Sequence, residues 1–326
     1  LQKAVAVQDR TEFEQIHKGL QKVFEVSAYL DFPFTLDEVA TYFLPNAKVT
    51  GEQLRSLIAS GKFDDLPFQI RGAYLLTSPT QSETARVGLE KMCAAKLSSA
   101  AAFAATLTRL VPFIRTVAVT GSVAYGSADK WDDIDLFIIT KRNRLWLSAL
   151  MTLVLVRLSK FLRLRPPHLS LFCLSYVHDD LGFANESYEN RTNPLFAREL
   201  VKAKPVAGKN EYRKILEENG WVGDLYPSPY VVRLRELANG LNSSNVVGKV
   251  GPTPYSRSFL AGWAEGIVFV LLSRYLRLRA YLTNLKLTSQ RKQLRVFEPR
   301  MSAVSCVYTS NFYMWLQALW SEQLPP

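Results

Sequence analysis

VAVTGSVAYGSADKWDDIDLFIIT, residues 117–140, is the stretch on which the reading of this chain turns. A β-branched, apolar run delivers the chain into Gly121-Ser122, a pair able to open a helix, and a second buried strand, DIDLFIIT, begins at Asp133 with ten residues between Ser122 and Asp133. Side chains alternate along a strand, so Asp133 and Asp135 project on one face ~6.6 Å apart along the backbone, while Ile134 and Leu136 point to the core. Two like charges on one face repel unless a cation offsets them. Carboxylates in this arrangement can share two Mg²⁺ ions, which lie ~3.5–4 Å apart in phosphoryl-transfer sites. Gly121 allows the backbone to approach a phosphate, and the N–H groups at the helix start, with the Ser122 hydroxyl, can hold a triphosphate.

Other motifs fail on inspection. GSVAYGSA lacks the lysine of a P-loop, and neither G-x-G-x-x-G nor G-x-S-x-G occurs. The bland alternative is a β-turn in which Asp132-Asp133 only caps a strand. The order of strand, Gly-Ser, about ten residues and Asp-h-Asp-h resembles the signature of the DNA polymerase beta-like nucleotidyltransferase superfamily, over residues 113–180. That resemblance implies an α+β fold with a nucleotidyltransferase-type mixed sheet and flanking helices. It implies Gly121 and Ser122 as the phosphate-contacting pair, Asp133 and Asp135 as metal ligands, Mg²⁺ as cofactor and an NTP as substrate. The reaction it implies is attack of an acceptor hydroxyl on the α-phosphate with loss of pyrophosphate. The acceptor stays open, and so does a rival reading in which the same fold holds a nucleotide without turnover.

In that superfamily a third acid usually sits on a later strand, where it helps to hold the metal and can act as base. The corresponding strand, LSLFCLSYV (169–177), carries Cys173 and Ser175 instead, so Asp179, or Asp180 beside it at the strand's exit, is expected to complete the site. Lys141 and Arg142, just past the Asp133/Asp135 strand, are expected to line the triphosphate. His178-Asp179-Asp180 reads otherwise as a polar turn leaving the sheet.

Outward from this core, residues 1–80 read as three helices and a hairpin. Thr35 caps TLDEVATYFL, Thr50 caps GEQLRSLIAS, and short strands near 67–71 and 73–77 meet at Gly72. This order resembles a winged helix-turn-helix domain. An Ala-rich helix over 81–112 reads as a connector, 113–222 as the nucleotidyltransferase core, 223–257 as a Pro/Gly/Ser/Asn-rich linker or wrap, and 258–326 as a helical C-terminal part. Trp221, Tyr226, Tyr230 and Tyr255 read as packing anchors rather than base-stacking residues.

The 326 residues are 48% hydrophobic and 21% charged, with 16 Gly and 16 Pro, which excludes collagen-like and disordered classes. Three dispersed cysteines and three histidines encode neither a disulfide framework nor a structural zinc site, so a reducing, cytoplasmic setting is expected. The start, LQKAVAVQDRTEFEQ, has no secretory-signal pattern and reads as a trimmed fragment. The net charge of +11 is clustered: residues 1–80 hold 8 Lys/Arg against 10 Asp/Glu, whereas 141–165 and 271–297 hold seven basic residues each and no acid. These two runs are either solvated helix faces or a surface for nucleic acid or another polyphosphate. The apolar stretches 145–156 and 259–272 are too short for the ~20 residues of a membrane span, leaving a peripheral membrane contact as the lesser alternative.

Overall fold

Residues 2–44, 49–158, 172–242, 259–290 and 295–321 are described by the structure, a computed structural model. The chain divides into two units: residues 1–91 with 221–232, and residues 92–220 with 233–326.

The first unit opens with α1 (Gln2–Leu30), β1 (Phe34–Thr35), α2 (Leu36–Tyr42), α3 (Gly51–Ala59), β2 (Gln69–Arg71) and β3 (Tyr74–Leu76). Both predicted caps are present as capping boxes: Thr35 and Thr50 accept the N3 amides, and Glu38 and Gln53 return the bond to the cap backbone. The strands form a small antiparallel sheet in the order β1-β3-β2. Arg86, buried between Phe32 and the carboxylates of Glu38 and Glu90, ties the start of α4 (Glu83–Leu110) to this unit.

The second unit is built on β4 (Ile114–Thr120), α5 (Gly121–Tyr125), β5 (Ile134–Thr140), α6 (Leu145–Leu158), β6 (Phe172–Asp179) and α7 (Asp180–Glu189). There follow α8 (Pro194–Lys202), β7 (Lys204–Ala207) and α9 (Lys209–Glu218); α10 (Trp221–Leu225) and the start of α11 (Pro227–Asn242) belong to the first unit, and the second continues with the rest of α11, α12 (Phe259–Ser289), β8 (Phe297–Met301), β9 (Ser305–Ser310) and α13 (Asn311–Ser321). The six-stranded sheet has the order β7-β4-β5-β6-β9-β8, parallel only between β5 and β6 and antiparallel elsewhere. On one face Val117, Val119, Ile134, Leu136 and Ile138 pack with α4, α6 and α12 around the fully buried Trp146. On the other face Phe137 meets Phe183 and Tyr212 edge-on.

The Ala-rich helix does run from the first unit into the second, and Ala100, Phe103, Ala104 and Leu107 of α4 also lie in the second unit's core. Two expectations about organisation are corrected. The expected linker 223–257 is helical over Pro227–Asn242, and 243–257, including Tyr255, lie outside the described residues. The C-terminal part is not simply helical: β8 and β9 extend the sheet beyond β6. The short edge strand β7 (KPVA) also went unrecognised, since it holds a proline, which only an edge or a first position tolerates.

Candidate active site

The acidic pair sits where β5 begins. Asp135 is paired in register with Thr120 at the end of β4 and with Cys173 on β6. Gly121 follows Thr120 with φ +64°, and an ideal Cβ there would lie 2.3 Å from Asp135 Oδ2, so only glycine fits between the turn and the carboxylate. Ser122 follows in the first turn of α5, to which Thr120 offers no side-chain cap. The predicted quartet Gly121, Ser122, Asp133 and Asp135 therefore surrounds one corner of the sheet.

The loop leading into the pair is held by its own aspartates. Asp129 Oδ1 accepts the Trp131 and Asp132 amides at 2.7 and 2.9 Å, and Asp132 Oδ2 accepts the Asp129 amide at 3.0 Å. Below it, the buried Lys96 of α4 donates from Nζ to the Asp132 carbonyl. Desolvation by the surrounding chain lifts the Asp133 carboxyl above its ordinary range although its residue is exposed at the surface; Lys96 and Arg279 of α12 oppose the shift as favourable cations, and Asp132 adds to it. Asp135 is pushed up to about 7, chiefly by burial and further by Asp133, while a hydrogen bond from Ser175 Oγ opposes the shift. Burial likewise pushes the Cys173 thiol up to about 12, so it stays protonated beside the pair.

Lys96 escaped the sequence reading, although a signal was present. It falls on the stripe Cys93, Lys96, Ala100, Phe103, Leu107, whose three-and-four spacing faces the core, so a lysine there must reach a partner. Glu199 of α8 was also missed. It is enclosed, accepts from Tyr125 Oη at 2.7 Å and from the Gly121 amide, and its charge acts on Asp135.

Asp179, Lys141 and Arg142 are not at this corner. Because β6 runs parallel to β5, its exit lies at the opposite end of the sheet: Cys173 is level with Asp135, whereas Asp179 is level with Thr140, about 20 Å along the strand. Lys141 and Arg142 follow Thr140 at that same far end. Asp179 is instead a structural cap, accepting the Gly182 amide at 2.9 Å to start α7 and the Asn143 amide at 3.0 Å to fix the turn before α6. Asp180 pairs with Arg115 at 2.6 Å. His178 is buried with neither ring nitrogen hydrogen-bonded, and burial drives it down to about 3, so it is a neutral core residue. Among the described residues no group of three or more His, Cys, Asp or Glu side chains could hold a metal.

Of the basic runs, Arg144 is buried over Phe113, and Lys160, Arg163, Arg165, Arg291 and Lys292 lie outside the described residues. Arg274, Arg277 and Arg279 are exposed on α12. None of the three cysteines is in a disulfide.

In comparisons with known proteins, residues 102–221 match the family model described as Nucleotidyltransferase domain. The match takes in Gly121, Ser122, Asp133 and Asp135 and reaches well beyond the 113–180 of the sequence resemblance. Neither the curated proteins nor the solved structures gave a match.

Proposed function

We propose that this chain transfers a nucleoside monophosphate from an NTP to an acceptor hydroxyl, with Mg²⁺ held by Asp133 and Asp135. The observation that carries the reading is Asp135 set against Gly121 at the mouth of β5, with Asp133 two residues before it and acting on it by charge, inside the stretch that matches a nucleotidyltransferase domain. The donors suit Mg²⁺: they are hard carboxylate oxygens, and Asp135, carried up to about 7, is a group whose ionisation a cation would favour. Mg²⁺ commonly takes only one or two protein carboxylates and completes its shell with phosphates and water, so a third acid is not required for binding. When bound it would neutralise charge on the triphosphate and polarise the α-phosphorus.

The chain's own residues have separable tasks in this reading. Ser122 offers its hydroxyl and its backbone N–H to phosphate oxygens, while Gly121, whose own amide is given to Glu199, leaves the room for them to approach. Ser175 keeps Asp135 closer to its ionised form. Lys96 steadies the loop that presents Asp133, and Arg279 adds positive charge beside it. Residues 1–80, winged-helix-like in their order of elements and net negative, serve as a packing or partner-contact module rather than as a duplex reader.

One observation favours a second reading, nucleotide binding without turnover: β6 offers Cys173 and Ser175 beside Asp135 and no acid. Incubation with each α-labelled NTP, Mg²⁺ and a mixture of RNA, DNA and protein acceptors tests both. Label in an acceptor, lost in Asp133→Asn and Asp135→Asn, is the expected result. Mg²⁺-dependent nucleotide retention with no transfer assigns the second reading, and transfer by the Asn variants at the wild-type rate sinks both.

A further inference from the structure

Helix α12 carries large apolar side chains on opposite sides, although only one side is covered by the described residues. Leu272, Leu276 and Ala280 face the core, with Glu265 inward at the same spacing. On the opposite side Ile267, Leu271, Leu278, Tyr281 and Leu285 are each more than half exposed. That stripe runs over 19 residues, 267–285, and its ends lie about 27 Å apart along the helix. Beside it, α6 exposes Leu150, Met151, Val154 and Leu158 at helical spacing. The two stripes are joined where Arg157 reaches the Tyr275 hydroxyl at 3.5 Å. Monomeric soluble proteins rarely expose a continuous apolar face of this extent without a partner for it.

The charge pattern selects the partner. The two helices together contain one acid, Glu265, and it is turned inward, its carboxylate accepting the Trp146 and Leu147 amides at the start of α6. The outer face thus bears Arg157, Arg274, Arg277 and Lys286, all exposed, with no negative charge between them, while Arg279 lies at its edge on the side of Asp133. Arg274 lies within the apolar stripe, and on the helical wheel Arg277 falls on one flank while Arg279 and Lys286 fall on the other.

We infer that the α6/α12 face docks on an anionic lipid surface, lying in the headgroup layer with the leucines and tyrosines inserted and the arginines reaching lipid phosphates. Such a face combines buried apolar area with attraction to acidic headgroups, and long basic side chains can extend from an inserted stem to the phosphate level. The cations spaced through α12 suit it to lie on a bilayer, and among the described residues no helix is long and apolar enough to cross one. A second copy docked on this face would set its arginines against the same arginines. A nucleic-acid groove would have polar rather than leucine side chains between its cations.

Flotation of the full chain with vesicles of phosphatidylcholine alone, and of phosphatidylcholine with phosphatidylglycerol, tests the inference. The expected result is flotation with the anionic vesicles at least tenfold above the neutral ones, weakened by salt. Leu271→Glu/Leu278→Glu should abolish it, and Arg274→Glu/Arg277→Glu should reduce it to the neutral-vesicle level. All four side chains are exposed, so both variants should keep the wild-type circular dichroism and melting temperature. Three outcomes would overturn the proposal. One is flotation absent or unchanged in the leucine variant. Another is a concentration-dependent dimer in sedimentation that the leucine variant loses, which gives the face to a second copy. The third is salt-sensitive RNA binding lost only in the arginine variant without any flotation, which gives the cations to nucleic acid.

Discussion

Ser175 on β6 donates its hydroxyl to Oδ1 of Asp135 on β5, so the strand beside the acidic pair contributes a neutral hydrogen-bond donor where a third carboxylate was sought. A donor stabilises the ionised carboxylate, whereas a third carboxylate would have raised its pKa further. The exchange lets two acids share one corner without a third charge to neutralise.

Ser175→Ala removes that donor, and the Asp135 carboxyl should then hold its proton to higher pH. A hydrogen bond to a charged group is worth about 1.5–3 kcal/mol, so the shift should be about one pH unit or more. The acid limb of the pH profile for Mg²⁺-dependent nucleotide binding should move up by that amount. A limb that stays in place means that Asp135 is not the group whose ionisation governs binding.

Asp135 itself has a linked effect on stability. Its carboxyl is raised from 3.8 to about 7 in the folded chain. Between those values the folded state holds a proton that the unfolded state has released, so stability falls as pH rises through this window and stays low above it. Asp135→Asn removes the dependence. In metal-free protein the variant should melt above wild type at pH 8, with the gap closing as pH approaches 4. An equal gap at both ends would assign the effect to packing.

The acidic pair was legible because a strand's two-residue period places Asp133 and Asp135 on one face whatever surrounds them. Asp179 was not, because which end of the sheet a strand's exit occupies depends on whether its neighbour is parallel, and periodicity carries no direction. The same lack of direction placed Lys141 and Arg142 beside a site at the other end of their strand. The hairpin of β8 and β9 was hidden by Pro299 and by a pattern that alternates partly buried with exposed residues in an edge strand. The role of Glu265 was equally hidden, because only the tertiary structure brings its carboxylate to the amides at the start of α6.

Gly121→Ala should cost both stability and function. The left-handed backbone alone costs a non-glycine residue about 1–2 kcal/mol, and the added methyl would meet Asp135 Oδ2 at 2.3 Å. Gly72→Ala is the matching control, with φ +58° but nothing within 4 Å of the new Cβ. Urea titrations should find the Gly72 variant destabilised by the backbone term only. The Gly121 variant should lose more and should also lose Mg²⁺-dependent nucleotide binding. Equal losses at the two positions would mean that the contact with Asp135 is relieved without cost.

Glu265 joins two helices through a cap that neither supplies locally. Helix α6 follows the turn held by Asp179, yet its Trp146 and Leu147 amides find their acceptor in a carboxylate more than a hundred residues away. The Trp146 indole fixes the same corner by donating to the Ser302 carbonyl at 3.1 Å. Glu265→Ala leaves two amides at a buried helix start without that acceptor, a loss of about 1–2 kcal/mol by analogy with cap deletions. Glu265→Gln keeps one oxygen acceptor and should lose less than half as much. Amide hydrogen exchange separates this from a general loss of packing: Trp146 and Leu147 should exchange faster in the alanine variant than in the glutamine variant, while β5 amides change only with global stability. Equal exchange in the two variants would mean that the side-chain volume of Glu265, rather than its carboxylate, holds α12 against α6.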